Sequence, residues 1–381
     1  MLLDRLVGAN LLTEPVPGWY ALHDLLHAYA GDLAVETDDA SSRAATTSRM
    51  LDHYLHTAHA ADRLLYPARA PLPIGRAEAG VTLSPPTDQR AALAFLDTHR
   101  AILVAAVRHA AALGLDAHAA RLGATVADYL DRLGHWPELV RVQTTAATAA
   151  NRLGDLPAEA EAVRLLARAY HRMGRFDQAL LHLRRALDLA TRGGDLALLA
   201  RTQHNLAMLW DAQGQPSQAL HHVGRALELY RRAGDQRGQA LALNGVGWCQ
   251  TRLGDHAAAL TACGQALVLL RTLDDRPGQA DAWDSLGQIH HHLGHYEAAV
   301  EHYLHAVRLC RDLGHRYREA DTLSRLAESH QAAGETDAAQ GAWQRALVIL
   351  TELEHSDAAH VRARLAAAAG QDLSAASADA T

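Results

Sequence analysis

A chain of 381 residues that is 49% hydrophobic but only 5% aromatic, with Ala and Leu supplying most of the apolar share, has the profile of a helical protein and not of a disordered or collagenous one. All 36 of its basic residues are arginine, which excludes a Walker-type phosphate lysine, a Schiff-base lysine and a lysine general base. The formal charge of −7 with no basic block argues against direct contact with nucleic acid, and apolar runs such as Ala101 to Val107 are too short to span a bilayer, so a soluble cytoplasmic protein with no membrane partner is expected.

The chain opens with Asp4 and Arg5 inside its first turn, which is not the pattern of a signal peptide. Residues 1–36 then read as a helix remnant, Ala9-Asn10-Leu11-Leu12, a turn at Pro15-Val16-Pro17-Gly18, and Trp19-Tyr20-Ala21-Leu22 running into a helix from His23-Asp24-Leu25-Leu26. Two short apolar strands around a Pro/Gly turn, followed at once by a helix, have the layout of the wing of a winged helix. Residues 37–114 form a helical linker: a helix carrying Leu51, Tyr54, Leu55, Ala58 and Leu64, a Pro-rich loop from Pro67 to Pro86, and Ala94-Phe95-Leu96-Asp97 leading into Leu103. His53, His56 and His59 lie three apart on the first of these helices, and steps of three drift by about 60° around the axis, so at most two could reach one ion. Solvated or groove-lining histidine is expected there, and no metal or other cofactor.

From about residue 115 the sequence repeats. Gly174, Gly214, Gly254, Gly294 and Gly334 stand 40 apart; Ala179, Ala219, Ala259, Ala299 and Ala339 follow them by five positions, and Ala186, Ala226, Ala266, Ala306 and Ala346 by twelve. Before each Gly comes an apolar residue and then a small one: Leu166-Ala167, Leu206-Ala207, Val246-Gly247, Leu286-Gly287 and Leu326-Ala327. A more degenerate unit contains Gly134 and Ala146-Ala147. Each unit reads as helix A, a Gly turn, helix B and a second turn marked by Gly154-Asp155, Gly194-Asp195, Gly234-Asp235, Asp274-Asp275 or Gly314. Small residues let the two helices approach, and large ones fill the space between units. Six units therefore span 115–354, and 355–381 supplies a capping helix from Asp357 to Ala369 and an Ala/Ser tail.

This pattern resembles the tetratricopeptide repeat, with a period of 40 where 34 is usual and without the Pro that commonly closes helix B. The resemblance implies an all-α, right-handed superhelix of helical hairpins with a small winged-helix remnant at the N-terminus. The order of elements before the repeats, carried by Leu11-Leu12, His23-Asp24-Leu25-Leu26 with Tyr29-Ala30, the Tyr54 helix and Leu96-Asp97 before Leu103, resembles the link between the nucleotide switch and the repeats in actinobacterial NB-ARC regulators, many of which start with a SARP-type activator domain. Thr98 and His99 stand where an acidic residue is usual in that family. The resemblance implies a sensor or interaction module of a signal-responsive transcriptional regulator that lacks its own ATPase and DNA-binding domains, with other regulator domains as partners. A free-standing scaffold or adaptor is the alternative.

No chemistry-bearing motif competes with that reading. No Ser stands in a G-x-S-x-G turn, Gly193-Gly194 and Gly245-x-Gly247 have no strand before them, and the paired Asp274-Asp275 is explained by capping. Cys263 shares a repeat position with Leu183, Val223, Tyr303 and Trp343, a core column, and Cys249 and Cys310 likewise read as buried apolar residues. His290, His291, His292 and His295 flank a repeat turn. No enzyme is expected. What remains is the concave face, lined by helix A, with a protein or peptide ligand as its occupant. The two outward positions of helix A are Arg164 and Arg168, His204 and Met208, Asn244 and Trp248, Asp284 and Gln288, Ser324 and Glu328. Trp248 fits either a binding anchor or a filler between units, and Arg164 and Arg168 fit either contacts or solvated surface. With Arg172, Asp281 and Asp321 added, charge along the groove runs from basic to acidic. An extended segment is then expected with its acidic end at Arg164, its basic end at Glu328 and its apolar anchor on Trp248.

Overall fold

The computed structural model describes residues 2–16 and 19–378. The chain divides into two compact units, one of residues 1–54 and 75–83 and one of residues 55–74 and 84–381.

In the first unit, α1 (Leu2–Gly8) is followed by β1 (Thr13–Val16) and β2 (Trp19–Ala21), which pair antiparallel, and then by α2 (Asp24–Thr37) and the start of α3 (Ala40–Leu65). The strand expected at Leu11-Leu12 begins instead at Thr13. Asn10 takes the left-handed conformation at φ +57°, and the N–H groups of Leu11 and Leu12 turn back to the Leu6 carbonyl to close the end of α1. Pro17 and Gly18 of the expected turn lie outside the described residues. Helix α2 buries none of its side chains: Leu25 is 76% exposed and Tyr29 64%. Two strands and two short helices are what this segment contains among the described residues, and a winged helix remains a reading of its sequence.

The second unit continues α3, passes through the Pro-rich segment to α4 (Gln89–Ala112), and then builds six helical pairs and a cap. The pairs are α5 (Asp116–Arg132) with α6 (Trp136–Leu153), α7 (Leu156–Arg172) with α8 (Phe176–Gly193), α9 (Leu196–Ala212) with α10 (Pro216–Ala233), α11 (Gln236–Arg252) with α12 (His256–Thr272), α13 (Arg276–His292) with α14 (Tyr296–Asp312), and α15 (Arg316–Ala332) with α16 (Thr336–Glu352). The cap is α17 (Asp357–Ala378), longer than expected because the alanine-rich segment after Ala369 keeps high helix propensity. Residues 379–381 of the Ala/Ser tail lie outside the described residues.

The turns work as their residues dictate. Gly174, Gly214 and their counterparts follow helix A at φ between +69° and +87°, where a Cβ would be strained. Asp155, Asp195 and Asp235 accept from the backbone N–H three residues on, at 2.8–3.0 Å, and so cap the next helix A, while Asp255 caps the helix B α12 in the same way at 3.1 Å. Within each pair the small residue of helix A faces the core column of helix B. A Cβ on Gly247 would overlap Cys263 Sγ, and one on Gly287 would stand 2.7 Å from the Tyr303 ring. Where the column holds Leu183, Val223 or Trp343, the facing residue is Ala167, Ala207 or Ala327, and all five column residues are 0–1% exposed.

The end of the array returns to its start. Trp136 in the first pair is buried, edge-to-face with Tyr317 of α15 at 5.7 Å and with His355 beyond α16 at 5.3 Å. His355 Nε2 donates to the Arg172 carbonyl at 3.1 Å, and a Cβ on Gly134 would strike Leu353. Helices A therefore surround an inner space.

Candidate functional site

That space holds a cavity of about 370 Å³, walled almost entirely by helices A of five successive pairs: α7, α9, α11, α13 and α15. Of the ten positions expected on the concave face, His204, Met208, Asn244, Trp248 and Asp284 line it, joined by Arg172, Asp281 and Asp321. The other five lie elsewhere. Arg164 is 6% exposed and folded onto Glu161 of its own helix through two contacts of 2.7 and 2.9 Å. Arg168 bonds Asp128 of α5 at 2.6 Å and sits 3.4 Å from Asp131. Ser324 donates to its own helix at Ala320, Glu328 lies 3.4 Å from Arg364 of the cap, and Gln288 is half-buried outside the wall.

The structure adds wall residues that the repeat register did not supply: His171, Asp211, Tyr317, Arg318 and Arg325. They change its electrostatics. Arg318 binds both oxygens of Asp281 at 3.0 and 3.1 Å; Arg325 reaches Asp284 at 3.2 Å and Asp321 at 2.5 Å; Arg172 sits 3.5 Å from Asp131. The expected run from basic to acidic is thus absent, because carboxylates from α5 and α7 neutralise the arginines of the first pairs, and Arg318 and Arg325 neutralise the aspartates of the last ones.

Trp248 packs between units and also borders the cavity. Its Nε1 donates to Asp211 Oδ2 at 2.8 Å, its body packs with the core of α9 to α11, and one face carries the Arg325 guanidinium at 5.1 Å while the ring still borders the cavity. Tyr317 is covered likewise by Arg172 at 5.3 Å. His204 and Asn244 keep Nδ1 and Oδ1 buried with no hydrogen-bond partner among the described residues. Burial, reinforced by Arg164, Arg318 and Arg237, pushes the His204 pKa down to about 4; burial with Arg172 does the same to His171. Both rings are neutral at pH 7.

Behind the wall runs a ladder of alternating charge. Arg69, just beyond α3, bridges Asp62 and Asp128, and Asp128 passes to Arg168, Arg168 to Asp131 and Asp131 to Arg172. Burial works against ionised Asp128, but Arg168 and Arg69 overcome it and hold its pKa well below the usual carboxylate range. Among the described residues no three His, Cys, Asp or Glu side chains are arranged to hold a metal ion, and no helix is long and apolar enough to cross a membrane. The three thiols are free and buried, and burial raises Cys249 and Cys263 to about 12.

The profile of the tetratricopeptide repeat matches residues 160–232, 198–271 and 238–312 in overlapping windows. Residues 160–312 of this chain are therefore tetratricopeptide repeats. The array is also similar to RapI in its apo form, with a TM-score of 0.55 at 11% identity over 68% of this chain and 96% of that one, a likeness of fold. In sequence the chain is similar to the regulatory protein AfsR of Streptomyces griseus, 33% identical over 190 residues, and to that of Streptomyces coelicolor, 38% identical over 124. These stretches cover 49% and 29% of this chain but 19% and 11% of the AfsR proteins, so the chain spans a small part of the length of the curated relatives it matches.

Proposed function

We propose that this chain is the receiving module of a signal-responsive transcriptional regulator, and that its central cavity takes a peptide end or a small ligand. It is read as non-catalytic and as acting through other domains of such a regulator. The single observation that carries this reading is the cavity itself: five pairs contribute to one wall, so a bound molecule would touch most of the array at once. Its volume of about 370 Å³ lies in the range of small-ligand pockets, which favours an occupant of two or three residues over a long extended segment. Similarity to AfsR supports the regulatory setting.

Filling the cavity tests the proposal. Met208 lines the wall, and Met208→Trp would occupy the space without adding charge. In the native cell that variant, present at normal abundance, should reproduce the transcript profile of a strain deleted for this chain or locked in one signalling state. A profile that still responds as the parent strain does would overturn the proposal.

A further inference from the structure

The cavity wall carries four carboxylates, those of Asp211, Asp281, Asp284 and Asp321, against the three guanidiniums of Arg172, Arg318 and Arg325. The partners from outside the wall, Arg252 for Asp211 and Asp131 for Arg172, cancel each other and leave one negative charge in excess. Such an excess is costly out of water. Burial raises the pKa values of Asp281 and Asp284 although Arg318 and Arg325 lie beside them, and the neighbouring carboxylates Asp275 and Asp321 add to the rise. The unpartnered atoms have the same sense. Asn244 Oδ1 is an acceptor without a donor, and the neutral His204 ring offers Nδ1 as another in its Nε2–H tautomer. Beside them Met208, Leu241 and Trp248 supply an apolar floor, and Trp248 already holds one cation, Arg325, on its face.

We infer that the cavity selects a monocationic ligand, a primary ammonium group on a compact apolar or aromatic body, with the ammonium directed to Asp321 and the acceptors of His204 and Asn244 and the body on Trp248. The ammonium supplies the missing positive charge and the missing donors together. A carboxylate would have to displace an aspartate from Arg318 or Arg325 and would deepen the excess. The inference rests on the cavity being the receiving site. The ammonium is that of a free amine or of the N-terminus of a peptide, and the test separates these.

Calorimetric titration of the full chain at pH 7 with phenethylamine, with 3-phenylpropionate and with the tripeptide amide Phe-Gly-Gly-NH2 compares one phenyl body with opposite charges. At least one ammonium probe should bind, and the carboxylate should bind about tenfold more weakly or not at all. Asp321→Asn, which keeps the shape of the wall, should weaken ammonium binding by about tenfold, the size of one charge-assisted hydrogen bond. Met208→Trp should abolish it. Phenethylamine alone would mark a free amine as the source, and the tripeptide alone a peptide end. Preferential binding of 3-phenylpropionate overturns the charge class while leaving the receiving cavity standing. If no probe distinguishes the parent chain from Met208→Trp, both the inference and the cavity reading fail.

Discussion

Arg325 on α15 lies over the indole of Trp248 on α11, 5.1 Å from the ring centroid, although 77 positions separate them in sequence (325 − 248). The same guanidinium binds Asp284 and Asp321, so one side chain joins three helices A at the cavity wall. Trp248 is therefore both a wall and a strut. Trp248→Ala should lower unfolding stability by about 2 kcal/mol, less than for a fully buried tryptophan because the ring is half-buried. Urea titration reads this directly. Trp248→Phe, which keeps a ring under Arg325 and loses only the hydrogen bond to Asp211, should cost about 1 kcal/mol.

Size matching between the paired helices gives a second expectation. Gly287→Ala should destabilise by about 1–2 kcal/mol, since the Tyr303 ring it would strike is 1% exposed and the modest gain in helix propensity does not offset the overlap. Adding Tyr303→Leu recreates the Ala167 and Leu183 combination of another pair. The double variant should be more stable than the sum of the two single changes, and strict additivity in denaturant titrations would remove the size-matching account.

Asp128 holds two arginines from opposite sides. Asp128→Ala should cost about 3 kcal/mol, because it leaves Arg69 with Asp62 alone and Arg168 with Asp131 alone in a poorly solvated place and breaks the ladder that ends at Arg172. Asp128→Asn should retain part of the hydrogen bonding and cost less. Equal losses in the two variants would show that charge has no part in the effect.

The neutral histidines fix a pH window. His171 and His204 have folded pKa values near 4, below the ordinary 6.5, so the unfolded chain binds their protons first as pH falls. Their contribution is present above pH 6.5 and is lost as pH falls from there toward 4, at a slope of roughly 1 kcal/mol per pH unit for each ring. Unfolding measured at pH 7 and pH 5 should show that loss, and His204→Gln should reduce the slope. The variant leaving the slope unchanged would contradict the assignment.

In the first unit, α2 buries no side chain, so its amides should exchange with solvent well before those of the array. Hydrogen exchange followed by mass spectrometry compares residues 24–37 with α9 and α13. Equal protection would mean that another surface covers Leu25 and Tyr29.

The pairs were legible because their packing is local and periodic: Gly247 against Cys263 and Ala327 against Trp343 are separated by 16 positions in both cases (263 − 247, 343 − 327) and repeat at every unit. Half of the concave positions were legible for the same reason, since the register of helix A places Met208 and Trp248 on the inner face. Arg318 and Arg325 were not, because they reach the cavity by side-chain length and pairing with Asp281 and Asp284 of the preceding pair. Arg164 and Arg168 lie off the cavity because Glu161 of the same helix and Asp128 of α5 draw them away, and the helix A register alone does not contain the second of these pairings. The meeting of Trp136 with Tyr317 and His355 depends on the pitch of the whole array, which no single repeat encodes.

That meeting sets a limit on how such a chain can vary. An open solenoid can gain or lose a unit at modest cost, since each unit touches only its neighbours. Here, excising any one unit between Trp136 and Tyr317 would rotate and shift the last pair away from the first, parting His355 from the Arg172 carbonyl and Leu353 from Gly134. Substitutions within a unit can therefore accumulate freely by comparison, while the number of units is held at six by the geometry of the seam.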